Sequence, residues 1–392
     1  MKNVSILGST GSIGANTLAV IRHHRDKFRV LSLSAGRNVD LLKAQIAEFC
    51  PAVVSVATAE HAEALARLLD PATSVEILYG REGAVYAAAL PEVHLVVSAM
   101  AGSFGLLPTI KAIENGKNIA LANKEILVMA GDAVTKLCQE NKVKILPIDS
   151  EHSAIYQCLR GNRKKDVRRV ILTASGGPFR TTSQDAMKGM TPKMALKHPR
   201  WKMGKKVTID SATMMNKGLE IIEAKWLFQL DFDRIAVHIH PQSIVHSLVE
   251  YCDGSVMAQL GVPDMKISIA YALSYPRRIS VPTNTSLDLT REAKLEFFPV
   301  DHDRFPAIAL AYHAGRVGGT LPVVMNGANE RAVEAFLAER ICFGDIIPLV
   351  EEVMRTHTVL PAPALHDILQ ADHWAREHME TLITERINHC SG

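Results

Sequence analysis

The chain has 392 residues, of which 47% are hydrophobic and 22% are charged, and its formal net charge at pH 7 is +3. This length accommodates two or three domains, and the small net charge argues against a dedicated nucleic-acid-binding protein. The longest apolar runs are too short to span a bilayer, and the N-terminus lacks the features of a signal peptide. Six cysteines without CxxC spacing predict reduced thiols. We therefore expect a cytoplasmic protein without membrane or nucleic-acid partners.

Residues 1–149 alternate between short apolar runs and helical segments. Strands are predicted at 3–8, 28–36, 51–57, 94–102, 117–123 and 143–148. Helices are predicted between them at 15–24, 39–49, 61–69, 104–116 and 125–141. Strands without polar alternation are typical of a sheet covered on both faces. The alternating order of strands and helices predicts an α/β fold with a parallel, doubly wound sheet and right-handed crossovers.

The pattern changes after residue 149 and predicts an α+β domain followed by helices. Strands are predicted at 168–177, 234–240, 244–251 and 255–261, and helices at 152–159, 210–228 and 265–276. Asp210 or Ser211 is the expected N-cap of the second of these helices, and Asp253-Gly254 is the expected turn of a hairpin. The predicted division is a nucleotide-binding domain at 1–149, a second domain at 150–276 with a flexible loop at 177–206, a linker at 277–304 and a C-terminal helical domain at 305–392.

The sequence GSTGSIG, residues 8–14, follows the first strand and opens the first helix. Glycines permit a tight turn and a close backbone approach, and the helix offers free N–H groups to a pyrophosphate. A glycine-rich turn alone is weak, but this context predicts a Rossmann-like dinucleotide site. The second strand ends in Gly36, Arg37 and Asn38 instead of the acid typical of NAD enzymes. Arg37 would meet a 2′-phosphate, so NADP is favoured over the alternative that Arg37 is a solvated turn residue.

Asp149 and Glu151 lie two residues apart after the apolar run VKILPI. If the extended geometry persists, both carboxylates point to the same side. With no Lys or Arg beside them in sequence, they need a proton, a distant cation or a metal ion. Glu220 is the best candidate for a third ligand, and ligands that are all oxygen suit Mg²⁺ or Mn²⁺. On spacing alone, a plain surface ion pair is the simpler interpretation of Lys217 and Glu220.

Groups suited to a phosphate occur in the second domain. Ser175 stands before paired glycines at the end of a predicted strand, where backbone N–H groups are exposed. Ser211, Asn216 and Lys217 cluster near the predicted start of the long helix, where the helix dipole favours an anion. These residues predict an anionic substrate.

The segment HPRWKMGKK, residues 198–206, combines one His, one Trp and four basic residues. A solvated basic turn is one interpretation, but Trp201 is an unusual residue to leave exposed. A lid that closes over an anionic substrate explains both the charge and the aromatic side chain. His238, His240 and His246 are interpreted as structural or supporting residues, because the carboxylates already provide a metal site.

Several segments, which occur in order along the chain, together resemble the 1-deoxy-D-xylulose 5-phosphate reductoisomerase family. They are GSTGSIG, AGRN, LANKE, LPIDSEHSAI, LTASGGPF, KHPRWKMGKKVTIDSATMMNKGLEIIEA, HPQSIVHS and GVPDM. The resemblance implies an oxidoreductase that uses NADPH and Mg²⁺ or Mn²⁺ to convert 1-deoxy-D-xylulose 5-phosphate into 2-C-methyl-D-erythritol 4-phosphate in the non-mevalonate isoprenoid pathway. Arg37 stands where many members have Lys, and Lys266 and Gly327 also depart from the usual residues, without touching a proposed ligand.

The resemblance also implies roles for individual residues of this chain. The implied cofactor-binding residues are Thr10, Gly11, Ser12, Ile13, Gly36, Arg37, Asn38, Asn123, Glu125 and Gly204. The implied metal ligands are Asp149, Glu151 and Glu220. The implied substrate-lining residues are Lys124, Ser150, Glu151, Ser175, His198, Trp201, Ser211, Asn216, Lys217 and Glu220. Catalytic roles are expected for Lys124, Asp149, Glu151, Glu220 and His198.

The implied reaction has two stages, a metal-assisted skeletal rearrangement of the ketose phosphate and a hydride transfer from NADPH. Retro-aldol/aldol and α-ketol routes both remain open, and the family is homodimeric through the sheet of the catalytic domain. One rival is another NADP-dependent dehydrogenase, such as a semialdehyde or homoserine dehydrogenase, which would not require three carboxylates. The other is a non-catalytic NADPH-sensing regulator, which could lose Asp149, Glu151 and Glu220 freely.

Overall fold

The computed structural model describes residues 1–197, 201, 203–282, 286–292 and 294–390. Contacts within the chain divide it into two units. The first unit comprises Met1–Ile126, Asp132–Ser153 and Asp264–Ser286, and the second comprises Leu127–Gly131, Ala154–Pro263 and Leu287–Gly392. The domain boundaries at 149, 276 and 304 stay a prediction. The two units differ from them because 264–286 belongs to the first unit, and because 154–263 and 287–392 together form most of the second.

The first unit is built on a seven-stranded parallel sheet with helices between its strands. The strands are β1 Lys2–Leu7, β2 Phe28–Ser34, β3 Val53–Val56, β4 Glu76–Tyr79, β5 Leu95–Ser98, β6 Asn118–Leu121 and β7 Ile145–Pro147. The helices in this part of the chain are α1 Ser12–His23, α2 Val39–Phe49, α3 Ala59–Leu68, α4 Gly80–Ala89, α5 Leu106–Glu114, α6 Glu125–Glu140 and α7 Ser150–Leu159. The spatial order β4-β3-β2-β1-β5-β6-β7 confirms the predicted doubly wound sheet.

Burial explains which strands the sequence predicts well. Every residue of β3 and β5 is buried, as expected for strands covered on both faces. β4 and α4 were not predicted, because β4 is a partly exposed edge strand whose sequence EILY carries little periodic signal.

The second unit contains a four-stranded mixed sheet in the order β11-β10-β8-β9. Its strands are β8 Val167–Ala174, β9 Ile235–Ile239, β10 Val245–Tyr251 and β11 Val256–Leu260. β8 and β9 are parallel, whereas β10 is antiparallel to both of its neighbours. The predicted hairpin turn at Asp253-Gly254 is confirmed, since Gly254 has a φ of 86° between β10 and β11.

The remaining helices follow from residue 184 to residue 390. They are α8 Gln184–Lys188, α9 Pro192–Ala195, α10 Lys205–Thr213, α11 Met215–Phe228, α12 Met265–Ser274, α13 Leu289–Glu292, α14 Ala307–Val317, α15 Leu321–Leu337, α16 Ile346–Thr356 and α17 Leu365–Cys390. α12 packs on α1 in the first unit, where Lys2 Nζ donates a hydrogen bond of 2.7 Å to Leu273 O. Among the helices of the described residues, none has both the length and the apolarity needed to cross a membrane.

The predicted helix at 210–228 is wrong in one respect, because the structure has two helices there. Met214 adopts a left-handed φ of 64° and separates α10 from α11. Asp210 and Ser211 therefore lie inside α10, and the expectation that either is an N-cap is wrong. A methionine in the left-handed region cannot be recognised from the sequence, whereas a glycine or a proline often marks such a break.

Candidate active site

The glycine-rich turn joins β1 to α1 in the first unit. Gly8 has a φ of 86°, and the backbone N–H groups of Gly8 and Ser9 both donate to Ser34 O at 2.8 Å. A Cβ at Gly14 would lie 2.3 Å from Gly8 O, so glycine is required for this close approach. α1 begins at Ser12, three residues earlier than predicted. Its first N–H groups form the positive end of a twelve-residue helix, a setting suited to a pyrophosphate.

The adjoining ends of the strands provide the rest of a nucleotide crevice. The order of the sheet reverses between β1 and β5, which is where open α/β sheets bind ligands. Gly36, Arg37 and Asn38 are exposed directly after β2. Asn38 Oδ1 accepts a hydrogen bond of 3.1 Å from Leu41 N, so it caps α2. Arg37 is left exposed beside that cap, where a guanidinium can meet a phosphate.

Asn123 supports the loop that follows β5. Its side chain is 3% exposed, and Nδ2 donates to Gly102 O at 2.9 Å and also to Met100 O. A Cβ at Gly105 would lie 2.8 Å from the same Nδ2. Glu125 is buried in the first turn of α6, where the helix dipole favours an acid. Asn123 therefore holds the loop that follows β5.

Asp149, Ser150 and Glu151 follow β7 but do not continue it as a strand. α7 begins at Ser150, so Glu151 lies in a helical turn and the premise of extended geometry is wrong. Ser150 Oγ donates to Glu151 Oε2 at 2.5 Å. Lys124 Nζ lies 2.5 Å from Asp149 Oδ2, and the two side chains are 10% and 12% exposed. Lys124 is thus a cation that is distant in sequence and adjacent in space.

The ionisation of Asp149 follows from these neighbours. Burial raises the pKa of its carboxyl, but the attraction of Lys124 and then of His152 outweighs burial, so the pKa lies well below its ordinary value. Asp149 is therefore a carboxylate at neutral pH, as a ligand for a hard cation must be. The residues alone did not single out Lys124, which came only from the resemblance. The position of Lys124 just after β6 could have indicated that it lies near Asp149, because the adjacent parallel strands β6 and β7 end at the same edge of the sheet.

In the second unit, the break at Met214 places Asn216, Lys217 and Glu220 in the first two turns of α11. Asn216 Nδ2 donates to Glu220 Oε1 at 2.6 Å, and Lys217 Nζ pairs with Glu220 Oε2. The side chains of Lys217 and Glu220 are only 4% and 1% exposed. The ion pair considered from spacing therefore exists, but it is buried and does not lie on the surface. A buried carboxylate and ammonium at this position are costly without a compensating role.

Ser175 and Ser211 are brought to the same neighbourhood of the second unit by paired glycines. Gly176 and Gly177 have φ values of 83° and 68°, and Gly177 N donates to Ser175 Oγ at 3.2 Å. A Cβ at Gly177 would lie 2.4 Å from Ser211 O. The turn after β8 thus packs directly on the backbone of α10 beside Ser211. Ser211 Oγ itself donates to Val207 O at 2.9 Å.

The structure describes only some residues of the predicted lid. His198 lies outside the described residues, whereas Trp201 is half-buried with its ring centroid 6.3 Å from that of His246. Gly204 is exposed and precedes α10. Burial lowers the pKa of His246 to about 4, so its imidazole is neutral at pH 7. His240 has a structural role, since its Nε2 accepts from two backbone N–H groups and its Nδ1 contacts Glu296 O at 2.8 Å.

Three family models match the chain in succession. The model described as 1-deoxy-D-xylulose 5-phosphate reductoisomerase matches residues 4–131, and the C-terminal domain model of the same description matches residues 145–228. The model described as the DXP reductoisomerase C-terminal domain matches residues 260–378. These matches together span most of the chain.

Curated proteins and a solved structure are similar over nearly the whole chain. The 1-deoxy-D-xylulose 5-phosphate reductoisomerase of Chlorobium chlorochromatii is 54% identical over 98% of this chain and 100% of its own length. The protein of the same name from a Geobacter species is 55% identical over 96% of this chain and 97% of its own length. A crystal structure of DOX-P reductoisomerase in complex with NADPH, fosmidomycin and magnesium is 43% identical, with a TM-score of 0.94 and 98% coverage of both chains.

Proposed function

The chain belongs to the 1-deoxy-D-xylulose 5-phosphate reductoisomerase family, and from that premise we propose how its own residues carry out the reaction of the family. The enzyme rearranges and reduces 1-deoxy-D-xylulose 5-phosphate to 2-C-methyl-D-erythritol 4-phosphate in the non-mevalonate isoprenoid pathway, with NADPH and a divalent metal. The observation that carries the assignment of residues is a set of three carboxylates, of which Asp149 and Glu151 are half-buried and Glu220 is buried, each held by a neighbouring side chain.

The proposed metal ligands are Asp149 and Glu151 in the first unit and Glu220 in the second. Their donors are all carboxylate oxygens, which fit Mg²⁺ or Mn²⁺ and suit Zn²⁺ poorly. Lys124 keeps the pKa of Asp149 well below its ordinary value, and Lys217 Nζ pairs with Glu220 Oε2, so both carboxylates lie beside an ammonium group. When bound, the ion supplies stabilisation of negative charge on neighbouring substrate oxygens. A regulator that only senses NADPH would have no reason to bury these charges.

The cofactor is NADPH, which supplies the hydride of the reduction. The N-terminus of α1 at Ser12 and Ile13, with Thr10 and Gly11 before it, is the proposed pyrophosphate site. Gly36, Arg37 and Asn38 are proposed to hold the ribose phosphate, with Arg37 providing the preference for NADPH over NADH. Asn123 is proposed to act by fixing the loop after β5. The roles of Glu125 and Gly204 in cofactor binding are carried over from the family.

The substrate phosphate is proposed to bind Ser175, Ser211, Asn216 and Lys217. Hydroxyl, amide and ammonium groups are donors suited to a phosphate, and the contact of Gly177 with Ser211 O supports the proposal for the two serines. Binding energy from this remote group orients the reacting carbons and reduces the entropy cost of the rearrangement. The set does not react chemically.

The reacting end of the substrate is proposed to meet Lys124, Ser150 and Glu151. Lys124 Nζ is placed to hold or move a proton beside Asp149. Trp201 and His198 are proposed to cover the substrate and exclude water. We also propose that the enzyme is a homodimer in the cytoplasm. The family resemblance supports the dimer, and the scattered cysteine pattern supports the compartment.

The deciding experiment follows NADPH consumption with 1-deoxy-D-xylulose 5-phosphate, with and without Mn²⁺ after treatment with a chelator. We expect turnover that depends on both the substrate and the metal, and product with a branched carbon skeleton by NMR. Turnover that persists without metal would contradict the assigned ligands. Reduction of a small acidic semialdehyde in its place would favour the rival dehydrogenase.

A further inference from the structure

Asp210 is a buried carboxylate in the second unit that the proposed reaction does not use. It is 1% exposed in the last turn of α10. Lys206 Nζ lies 2.8 Å from Asp210 Oδ2, and Asn329 Nδ2 donates to Asp210 Oδ1 at 2.9 Å. Asn329 is 0% exposed and belongs to α15, more than one hundred residues further along the chain. The contact thus ties α10 to a helix of the C-terminal region.

The position of Asp210 is unfavourable for helix stability. The carbonyl end of a helix carries partial negative charge, so an acid in the last turn is repelled. Lys206 precedes Asp210 by four residues, the less favourable order for such a pair. Burying a charged pair costs desolvation energy that an apolar residue would avoid. Because local stability does not explain Asp210, its role is better sought in what it positions.

The residues that follow Asp210 connect the residues proposed to bind the substrate phosphate. Ser211 is next in sequence, and its carbonyl packs against Gly177 in the turn that carries Ser175. Thr213 Oγ1 accepts from Met215 N at 3.3 Å across the break at Met214. α11 then begins and presents Asn216 and Lys217. A small rotation of α10 would therefore move Ser211 relative to the turn that carries Ser175 and relative to the start of α11.

We propose that Asp210, held by Asn329, is a positioning residue that fixes the end of α10 and thereby sets the affinity for the substrate phosphate. This inference rests on the proposed function. The C-terminal region contributes to substrate binding through this contact, although Asn329 itself is assigned no contact with the substrate. The pair should affect the substrate and inorganic phosphate alike, and it should leave the NADPH site in the first unit unchanged.

The test compares Asp210→Asn, Asn329→Ala and the double variant in the full-length enzyme. Asp210→Asn keeps the shape of the side chain, and Asn329→Ala leaves Asp210 in place, so one variant remains informative if the other does not fold. We expect KM for the substrate and the inhibition constant of inorganic phosphate each to rise about tenfold, equivalent to 1.4 kcal/mol. The fall in kcat should be smaller, and the NADPH dissociation constant measured by fluorescence should change far less than the phosphate inhibition constant, because Gly204 is the proposed cofactor-binding residue that adjoins α10 and the others lie in the first unit. The double variant should be less impaired than the sum of the single effects.

The matched control is Asn326→Ala, one turn earlier in α15. Asn326 is also 0% exposed, and its Nδ2 donates to Glu330 Oε1 at 3.1 Å. The Asn326→Ala variant should be less stable than the wild type, but its KM and its inhibition by phosphate should not change. Unchanged KM in Asp210→Asn or Asn329→Ala, or an equal rise in the control, would overturn the inference while leaving the proposed function intact. A wild-type enzyme that does not turn over the substrate would remove both.

Discussion

Replacing Lys124 by Met is the most informative perturbation of the proposed metal site. Met keeps most of the side-chain volume and removes the ammonium that lies 2.5 Å from Asp149 Oδ2. At an effective dielectric constant of about 20, two unit charges about 3 Å apart attract by roughly 5 kcal/mol. Removing one partner of a buried pair costs about 3–5 kcal/mol, because the other charge stays buried. Since both side chains retain about a tenth of their exposure, we expect the lower value, about 3 kcal/mol.

The loss of stability in the Lys124→Met variant should depend on whether the metal is bound. A divalent cation bound to Asp149 replaces the missing positive charge, so saturating Mn²⁺ should restore about 2 kcal/mol of the lost stability. By linkage, Lys124→Met should bind Mn²⁺ about thirtyfold more tightly than the wild type. Turnover should nevertheless fall, because the group proposed to hold a proton beside the substrate is gone.

The assay is chemical unfolding of wild type and variant, first with chelator and then across a Mn²⁺ titration, together with calorimetric measurement of Mn²⁺ affinity. Lys111→Met is the matched control, since Lys111 lies 2.7 Å from Glu114 in a pair with 44% and 39% exposed side chains. That exposed pair should contribute about 0–1 kcal/mol without dependence on metal. Equal losses with chelator and with Mn²⁺, or weaker Mn²⁺ binding, would refute the reasoning.

Other changes test the remaining assignments. Glu220→Gln and Asp149→Asn should each lower turnover by several orders of magnitude while NADPH still binds, and full activity without metal in either variant would contradict their role as ligands. Arg37→Ala should weaken NADPH far more than NADH in fluorescence titrations, whereas equal losses would exclude the 2′-phosphate contact. Gly14→Ala should abolish NADPH binding, because its Cβ would lie 2.3 Å from Gly8 O, and normal affinity would show that the turn can rearrange. Proteolysis near Trp201 should slow when NADPH and a substrate analogue are both present, and unchanged cleavage would argue against a lid.

Much of the fold was predictable because the first unit is built from strands buried on both faces. The runs at β1 and β2 are apolar and bounded by turns, so their positions were predicted closely, whereas the strand predicted at 94–102 is observed only over Leu95–Ser98. The hairpin at Asp253-Gly254 was predictable for a similar local reason. β4 was missed because an edge strand is only partly buried. The break at Met214, with its left-handed φ of 64°, was missed because a methionine carries no sequence signal for that backbone conformation.

The predictions of the site residues likewise depended partly on local sequence and partly on information that local sequence does not hold. Residue type and local position were enough to propose the glycine turn at residues 8–14, Arg37 after the second strand and the carboxylates Asp149 and Glu151, and their roles stay a prediction. The family resemblance then supplied the roles that spacing left open, such as that of Glu220.

The sequence by itself determined the doubly wound sheet, the glycine-rich turn and the oxygen chemistry of the proposed metal ligands, because each depends on local periodicity or on the donor atoms of single residues. Only the tertiary structure decided the ionic partners. Lys124 reaches Asp149 because β6 and β7 are adjacent parallel strands, and Asn329 reaches Asp210 because α15 packs on α10. Pairings between residues far apart in the chain depend on how its elements pack, and no local pattern encodes them.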